Sequence, residues 1–253
     1  MPPCCAQFNY FCSIVRSEAE RQGIAVEVAT FPPTAGASQV EAALSSLHAR
    51  NATAVVGCTR AQDAISIVRQ LVQLDWTPLA TMVTQAIDTT VYANLMSRGF
   101  WQGAYVIGQS AWLPELPGEG TLTNLTASAF RDRYYDAYGV FPSEQGAGEF
   151  AAGVVLVDAI ERAGSLETDA VAAELRRTVL KTVYGTVAFD SATNMNSMDS
   201  LVGQIPAPNM SASQPLQTTP NLVFPLITSG EAITNGFLHF PTPSWATRQC
   251  RYE

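Results

Sequence analysis

Ala54-Val-Val-Gly57-Cys58 is a short uncharged run, and Thr59-Arg-Ala-Gln62 follows it without a spacer. The first reads as a buried strand, because a compact apolar run with β-branched residues packs on both faces of a sheet. The second has the spacing of a capping box. There a hydroxyl accepts from the amide three residues on, and the longer side chain reaches back. Ile65, Val68, Leu71 and Val72 then recur at helical spacing as one apolar stripe. A strand delivered straight into an amphipathic helix is the opening half of a βαβ unit.

The neighbouring segments repeat the pattern. Upstream, Ile14 to Gln22 reads as a helix end closed by Gly23. Ile24 to Phe31 alternates and is rich in β-branched residues, which predicts a strand stopped by Pro32-Pro33. Ser38-Gln-Val-Glu41 is a second capping box, with Val40, Ala43, Leu44 and Leu47 behind it. Downstream, Pro78 to Val83 predicts a strand, Val91 to Met96 a short helix and Gly103 to Gly108 a strand. This β-α-β-α-β-α-β order predicts an α/β fold, a parallel sheet flanked by helices. Ligands of open α/β sheets bind outside the carboxyl ends of the strands. Those ends are Cys58 to Arg60, Thr81 to Gln85, and Gln109 to Trp112.

After Pro114-Glu-Leu-Pro117-Gly118 the texture turns helical. Ala127 to Tyr138 is one helix, ended by Gly139 and Pro142. Gly146 to Ala163 is apolar nearly all round, as buried helices are, and Thr168 caps a helix from Ala170 to Leu180. Tyr184 to Phe189 returns to strand, with Leu201 to Ile205 as its expected partner. Pro206 to Pro220 reads as loop or linker, and Leu222 to Ile227 as a last apolar strand.

Composition removes several function classes. Of 253 residues, 47% are hydrophobic and 14% charged, so a large core is expected. The net charge is −8, with 14 Lys and Arg against 22 Asp and Glu, which disfavours nucleic acid and anionic lipid as partners. The five cysteines, Cys4, Cys5, Cys12, Cys58 and Cys250, fit no zinc or redox spacing, and a local bridge among the first three is open. The two histidines, His48 and His239, lie near no cysteine pair, so no metal site is expected. Cys58 reads as a core thiol. No nucleophile elbow, P-loop, dinucleotide fingerprint or zincin motif occurs, so neither an enzyme nor a cofactor is expected. Gly146-Ala-Gly148 opens a helix with no strand before it. Met1-Pro-Pro-Cys-Cys5 lacks the basic and apolar regions of a secretory signal. Phe150 to Val157 is too short to span a bilayer, so any membrane attachment is expected to lie outside this chain. Three sequons begin at Asn51, Asn124 and Asn209, all at predicted breaks, and mark candidate glycosylation sites on a secretory route.

Several stretches together resemble a known family. Glu20-Arg-Gln-Gly23-Ile-Ala-Val26 with Phe31-Pro-Pro33 is similar to its helix, strand and proline loop. Phe130, Tyr134 and Tyr138, one helical face apart, with Gly139 and Pro142, resemble a characteristic helix. Asp158 to Gly164, then Tyr184-Gly185 to Phe189-Asp190, resemble the elements that follow. The ordered set, over about residues 10 to 205, resembles the type I periplasmic-binding-protein fold, in its branched-chain amino-acid-binding and receptor ligand-binding-region branch. The resemblance implies a partial copy. Residues 1–113 with 184–205 correspond to lobe 2, residues 114–183 to helices of an incomplete lobe 1, and 206–253 to a loop or tail. The run Phe240 to Cys250 resembles the end of ligand-binding ectodomains of some protist and algal receptor-like proteins.

On that resemblance the chain is expected to bind a small molecule, an amino acid or similar, in an inter-lobe cleft without catalysis. The leading expectation is an extracellular receptor region, with a dimer through lobe surfaces open to it. A transport-type solute-binding protein is the alternative, and an unrecognised α/β enzyme a distant one. Phe150, Val154, Val155, Leu156 and Ile160 are expected to lack a covering sheet. Thr59 and Arg60 are the first site candidates, since a helix N-terminus and a guanidinium favour an anion such as a ligand carboxylate. Their plainer roles are a cap and a solvated charge. Thr84 and Gln85 follow the third predicted strand. In amino-acid-binding relatives a carboxylate in that loop meets the ligand ammonium, whereas here Asp88 is the nearest one. Trp112 is placed to wall the pocket or to pack between lobes.

Overall fold

The computed structural model describes residues 3–32, 35–88, 105–196, 201–205, 221–222, 226–228, 231–233, 238 and 240–245. The expected helix from Val91 to Met96, the start of the strand at Gly103, the loop from Pro206 to Pro220, Asn209, His239 and Cys250 lie outside the described residues.

Three strands, β1 (Ala54–Gly57), β2 (Ala80–Val83) and β3 (Ile107–Ser110), run parallel, with Val56 opposite Met82 and Met82 opposite Ile107. Helix α3 (Ala61–Gln73) joins β1 to β2 and buries Ala64, Ile67, Val68 and Leu71 against the sheet. Helix α2 (Ala37–Ala49) precedes β1 and buries Val40 and Leu44. The βαβ unit forms as its periodicity predicts. The caps differ from the expected ones. Helix α2 starts two residues earlier, capped from Gly36 instead of Ser38, with the Gly36 amide donating to Gln39 Oε1 (3.1 Å). Helix α3 is capped from Arg60, whose amide donates to Asp63 Oδ2 (3.3 Å), so the Thr59 hydroxyl does no capping.

Helix α1 (Pro3–Arg21) ends as expected. Gly23 sits at φ +77°, the Ile24 amide donates to the Ala19 carbonyl (2.9 Å) and the Gly23 amide to that of Glu20 (3.0 Å). This is a Schellman closure, and the left-handed position suits a residue without Cβ. The predicted strand over Ile24 to Phe31 is not one: its residues form no ladder among the described residues. Ile24 and Val28 remain 59% and 52% exposed. Alternation selects a strand only when an edge is there to pair with.

The remaining described segments form a second block. Helices α4 (Ala127–Tyr138), α5 (Glu144–Ala163) and α6 (Thr168–Arg176) precede a hairpin of β4 (Val179–Thr182) and β5 (Gly185–Ala188). Gly139 and Gly164 close α4 and α5 in the left-handed conformation. Strand β5 pairs with β4, not with β6 (Leu201–Gln204); β6 instead joins the main sheet antiparallel to β3. The nearby hairpin takes β5 because closing a short loop costs less entropy than a distant pairing. Helix α6 begins at Thr168 with Glu167 as its cap and ends at Arg176, short of Leu180. The hairpin also covers part of the face expected to be bare. Val155 is 3% exposed and packs on Leu180 and Val187, while Leu156 and Val157 stay exposed.

The sheet order is β1-β2-β3-β6-β7, where β7 is Asn221–Leu222, and β8 (Leu226–Thr228) pairs with β9 (Glu231–Ile233) apart from it. At the amino end of β2 the tail folds back. The Thr242 amide and hydroxyl donate to the Leu79 carbonyl (2.8 and 2.9 Å), and buried Trp245 donates to the Trp76 carbonyl (2.9 Å). His48 ends α2 exposed, as expected, and stacks on Trp76 (4.8 Å between ring centroids).

Gly108 marks the tightest approach in the sheet. A Cβ there would lie 2.7 Å from the Ile87 amide nitrogen and 2.9 Å from the Ala86 Cβ. Backbone cannot rotate away as a side chain can, so Gly108→Ala is expected to lower stability by about 1–3 kcal/mol. A urea midpoint indistinguishable from that of the parent chain would contradict this close packing.

Candidate functional site at the carboxyl edge of the sheet

The carboxyl ends of β1 and β2 are locked together. Thr84, 2% exposed, accepts from the Thr59 amide (2.8 Å) and donates to the Thr59 carbonyl (2.6 Å), with the Gly57 carbonyl at 3.3 Å. Thr84 is therefore a brace that shapes the edge. Gln85 beside it is half-buried and takes a left-handed backbone (φ +62°), which turns the chain sharply away from β2. Arg60 Nε lies 3.4 Å from Asp63 Oδ2, a long contact within the first turn of α3. Thr59 Oγ1 is buried and makes no hydrogen bond to the protein. The structure thus brings Thr59, Arg60, Thr84 and Gln85 onto one edge. Trp112 is fully buried, donates from Nε1 to the Val183 carbonyl (2.9 Å) and meets Phe130 edge-on. It packs between the two blocks and offers no surface to a ligand.

Cys58 is corrected outright: it is bonded to Cys12, across 46 residues. The bridge pins the middle of α1 to the end of β1, next to Thr59. A spacing argument favours bridges among crowded cysteines, but the pairing follows which sulfurs the fold brings within reach.

The sequence reading missed a polar cluster beside this edge. Glu144, in the first turn of α5, accepts at Oε2 from the Ala111 amide (2.9 Å) and lies 2.9 Å from the Ser110 hydroxyl. Ser110 Oγ also reaches the Trp112 carbonyl (2.7 Å), so its single proton is shared between the two acceptors. The Glu144 amide donates to Asp88 Oδ2 (3.1 Å), and Asp88 is 3% exposed. A carboxylate is favoured at a helix start, where free amides and the helix dipole are positive. Burial, reinforced by the Glu144 charge, pushes the Tyr184 phenol up to about 12, so it stays protonated and can only act as a neutral donor or acceptor. Burial also raises the Glu115 carboxyl, in part offset by a hydrogen bond from its own backbone and by Arg131, and its Oε2 has no hydrogen-bond partner. The only trace of this cluster in the sequence was Ser143-Glu144 at a helix start, which says nothing of partners 33 and 34 residues away. Among the described residues no group of three or more His, Cys, Asp or Glu is placed to hold a metal.

A mostly parallel sheet with a polar carboxyl edge, and a helical block beside it, is the architecture of one α/β lobe with added helices. Residues 9–210 match the family model of periplasmic binding proteins, and the chain belongs to that family. Its fold is also that of solved members. The leucine-binding protein of Thermotoga maritima is 22% identical, with a TM-score of 0.52, over 72% of this chain and 46% of that one. The branched-chain amino-acid transporter binding protein of Streptococcus pneumoniae, solved with isoleucine, is 17% identical with a TM-score of 0.58, over 75% and 52%. A binding protein for leucine, isoleucine, valine, threonine and alanine from Brucella ovis, in a closed conformation, is 17% identical with a TM-score of 0.59, over 87% and 55%. The chain thus spans about half the length of the solved relatives it matches. No curated protein matches it in sequence.

Proposed function

We propose that this chain reversibly binds a small carboxylate-bearing molecule, an amino acid or similar, at the carboxyl edge of its sheet, without chemical change. The observation that carries the reading is the junction of β1 and α3. There Thr59 Oγ1 has no protein partner, next to Arg60 at a helix start that favours an anion. The relatives named for amino-acid binding support the ligand class and favour solute capture for transport. A second reading, the extracellular region of a receptor, is favoured by the sequons at Asn51 and Asn124, whose asparagines are exposed on left-handed turns. Both readings place the chain in an oxidising compartment, which the Cys12–Cys58 bond supports. No helix among the described residues is long and apolar enough to cross a membrane. We divide the chain into a sheet lobe, residues 1–113 with 201–205, and a helical block, residues 114–183, to which the β4–β5 hairpin attaches residues 184–196 in place of the sheet lobe.

The test is amide chemical-shift titration with L-leucine, L-isoleucine and benzoate, a method that detects weak binding to one lobe. Shifts concentrated at Thr59, Arg60 and Gln85 are expected, and Arg60→Ala is expected to weaken binding about 10- to 100-fold, the worth of one charge-assisted hydrogen bond. Silence of these amides with all three solutes at about 10 mM, ten times a millimolar Kd, would sink the proposal.

A further inference from the structure

We propose that Glu144 is a positioning residue, a latch that sets how the helical block sits on the sheet and so how the binding edge is presented. The inference rests on the binding role proposed above, but its geometry stands apart from any ligand.

The chain leaves the sheet at Ser110 and re-enters it at Leu201, and these two residues are cross-strand partners. The helical block between them is therefore joined to the sheet by two covalent crossings at one point, the natural geometry of a hinge. Glu144, which starts α5 inside that block, holds the crossing from both sides. Its carboxylate takes the Ala111 amide and contacts the Ser110 hydroxyl, at the outgoing crossing. Its own amide is held by Asp88, in the turns that follow β2 and on the sheet side of the hinge. One residue thus acts as acceptor and donor across the joint. Rotation of the block about Ser110 has to break these bonds. Asp88, 3% exposed, and Ser110, 2% exposed, have little water to replace them. Trp112, bonded to the Val183 carbonyl, carries the restraint from the crossing into the hairpin side of the block.

The test is amide hydrogen exchange on the intact chain, read without ligand, for Glu144→Ala and Glu144→Gln. Alanine keeps the helix start but loses the carboxylate, and exchange at 110–113 and 201–204 is expected to rise about tenfold or more, as for one lost charge-assisted bond. Amides of α3 are expected to stay at parental rates. Glutamine keeps an acceptor oxygen and is expected to restore part of the protection. Unchanged exchange at 110–113 in both variants overturns the latch, as does a uniform rise across the chain, which marks a residue of general stability only. If the alanine variant does not fold, the glutamine variant decides by the same comparison. Exchange needs no solute, so failure to bind leucine, isoleucine or benzoate leaves this result standing.

Discussion

Opening the Cys12–Cys58 bond is expected to lower the stability of the chain by about 4 kcal/mol at 25 °C, the chain-entropy value for a loop of this length. The bond closes a loop with a sequence separation of 46 that includes the second half of α1, all of α2 and β1. Without it the unfolded chain regains that loop freedom, while α1 loses its covalent hold on the sheet. Tyr10 and Ile14 on α1 are 70% and 50% exposed, so apolar burial supplies little replacement. The measurement is urea unfolding of the parent chain with and without a phosphine reductant, beside the Cys12→Ser/Cys58→Ser variant. The reduced parent and the variant are expected to share one lowered midpoint, and the variant to ignore the reductant. A parent whose midpoint does not move on full reduction would show that the bond contributes no stability.

Trp112→Ala is expected to cost about 3–5 kcal/mol, the range for deleting a large buried aromatic. The indole is fully buried, follows directly on β3 and packs on the helical block through Phe130 and Val183. Its removal opens a cavity and leaves the Val183 carbonyl, in a residue only 2% exposed, without its donor. Trp112→Phe separates the two effects, since a ring remains and only the donor is lost. That change is expected to cost about 1–3 kcal/mol. Small domains have about 5–15 kcal/mol in all, so the alanine variant should show a visibly lower melting temperature. A loss below about 1 kcal/mol for alanine would mean that the two blocks do not share this core.

What could be read in advance was whatever short-range periodicity encodes. The β1-α3-β2 unit, the span of α4 and the glycine closures at Gly23 and Gly139 follow from residues within a turn or two of one another. The carboxyl edge of the sheet was legible for the same reason, because a strand entering a helix places its end there wherever the unit sits. Family membership emerged from the order of such pieces rather than from any one of them. Long-range pairing was not legible. Ile24 to Phe31 carries a strand pattern without a ladder, β6 lies against β3 instead of β5, and Cys58 meets a cysteine 46 residues back. The helix expected from Gly146 starts two residues earlier, at Glu144, whose carboxylate reaches Ala111. Alternation, helical stripes and capping residues act over distances the local chain spans, so they survive in any tertiary setting. Which edges pair, which sulfurs meet and which carboxylate reaches Ala111 depend on packing a whole core at once, and only the folded chain brings those groups within bonding distance.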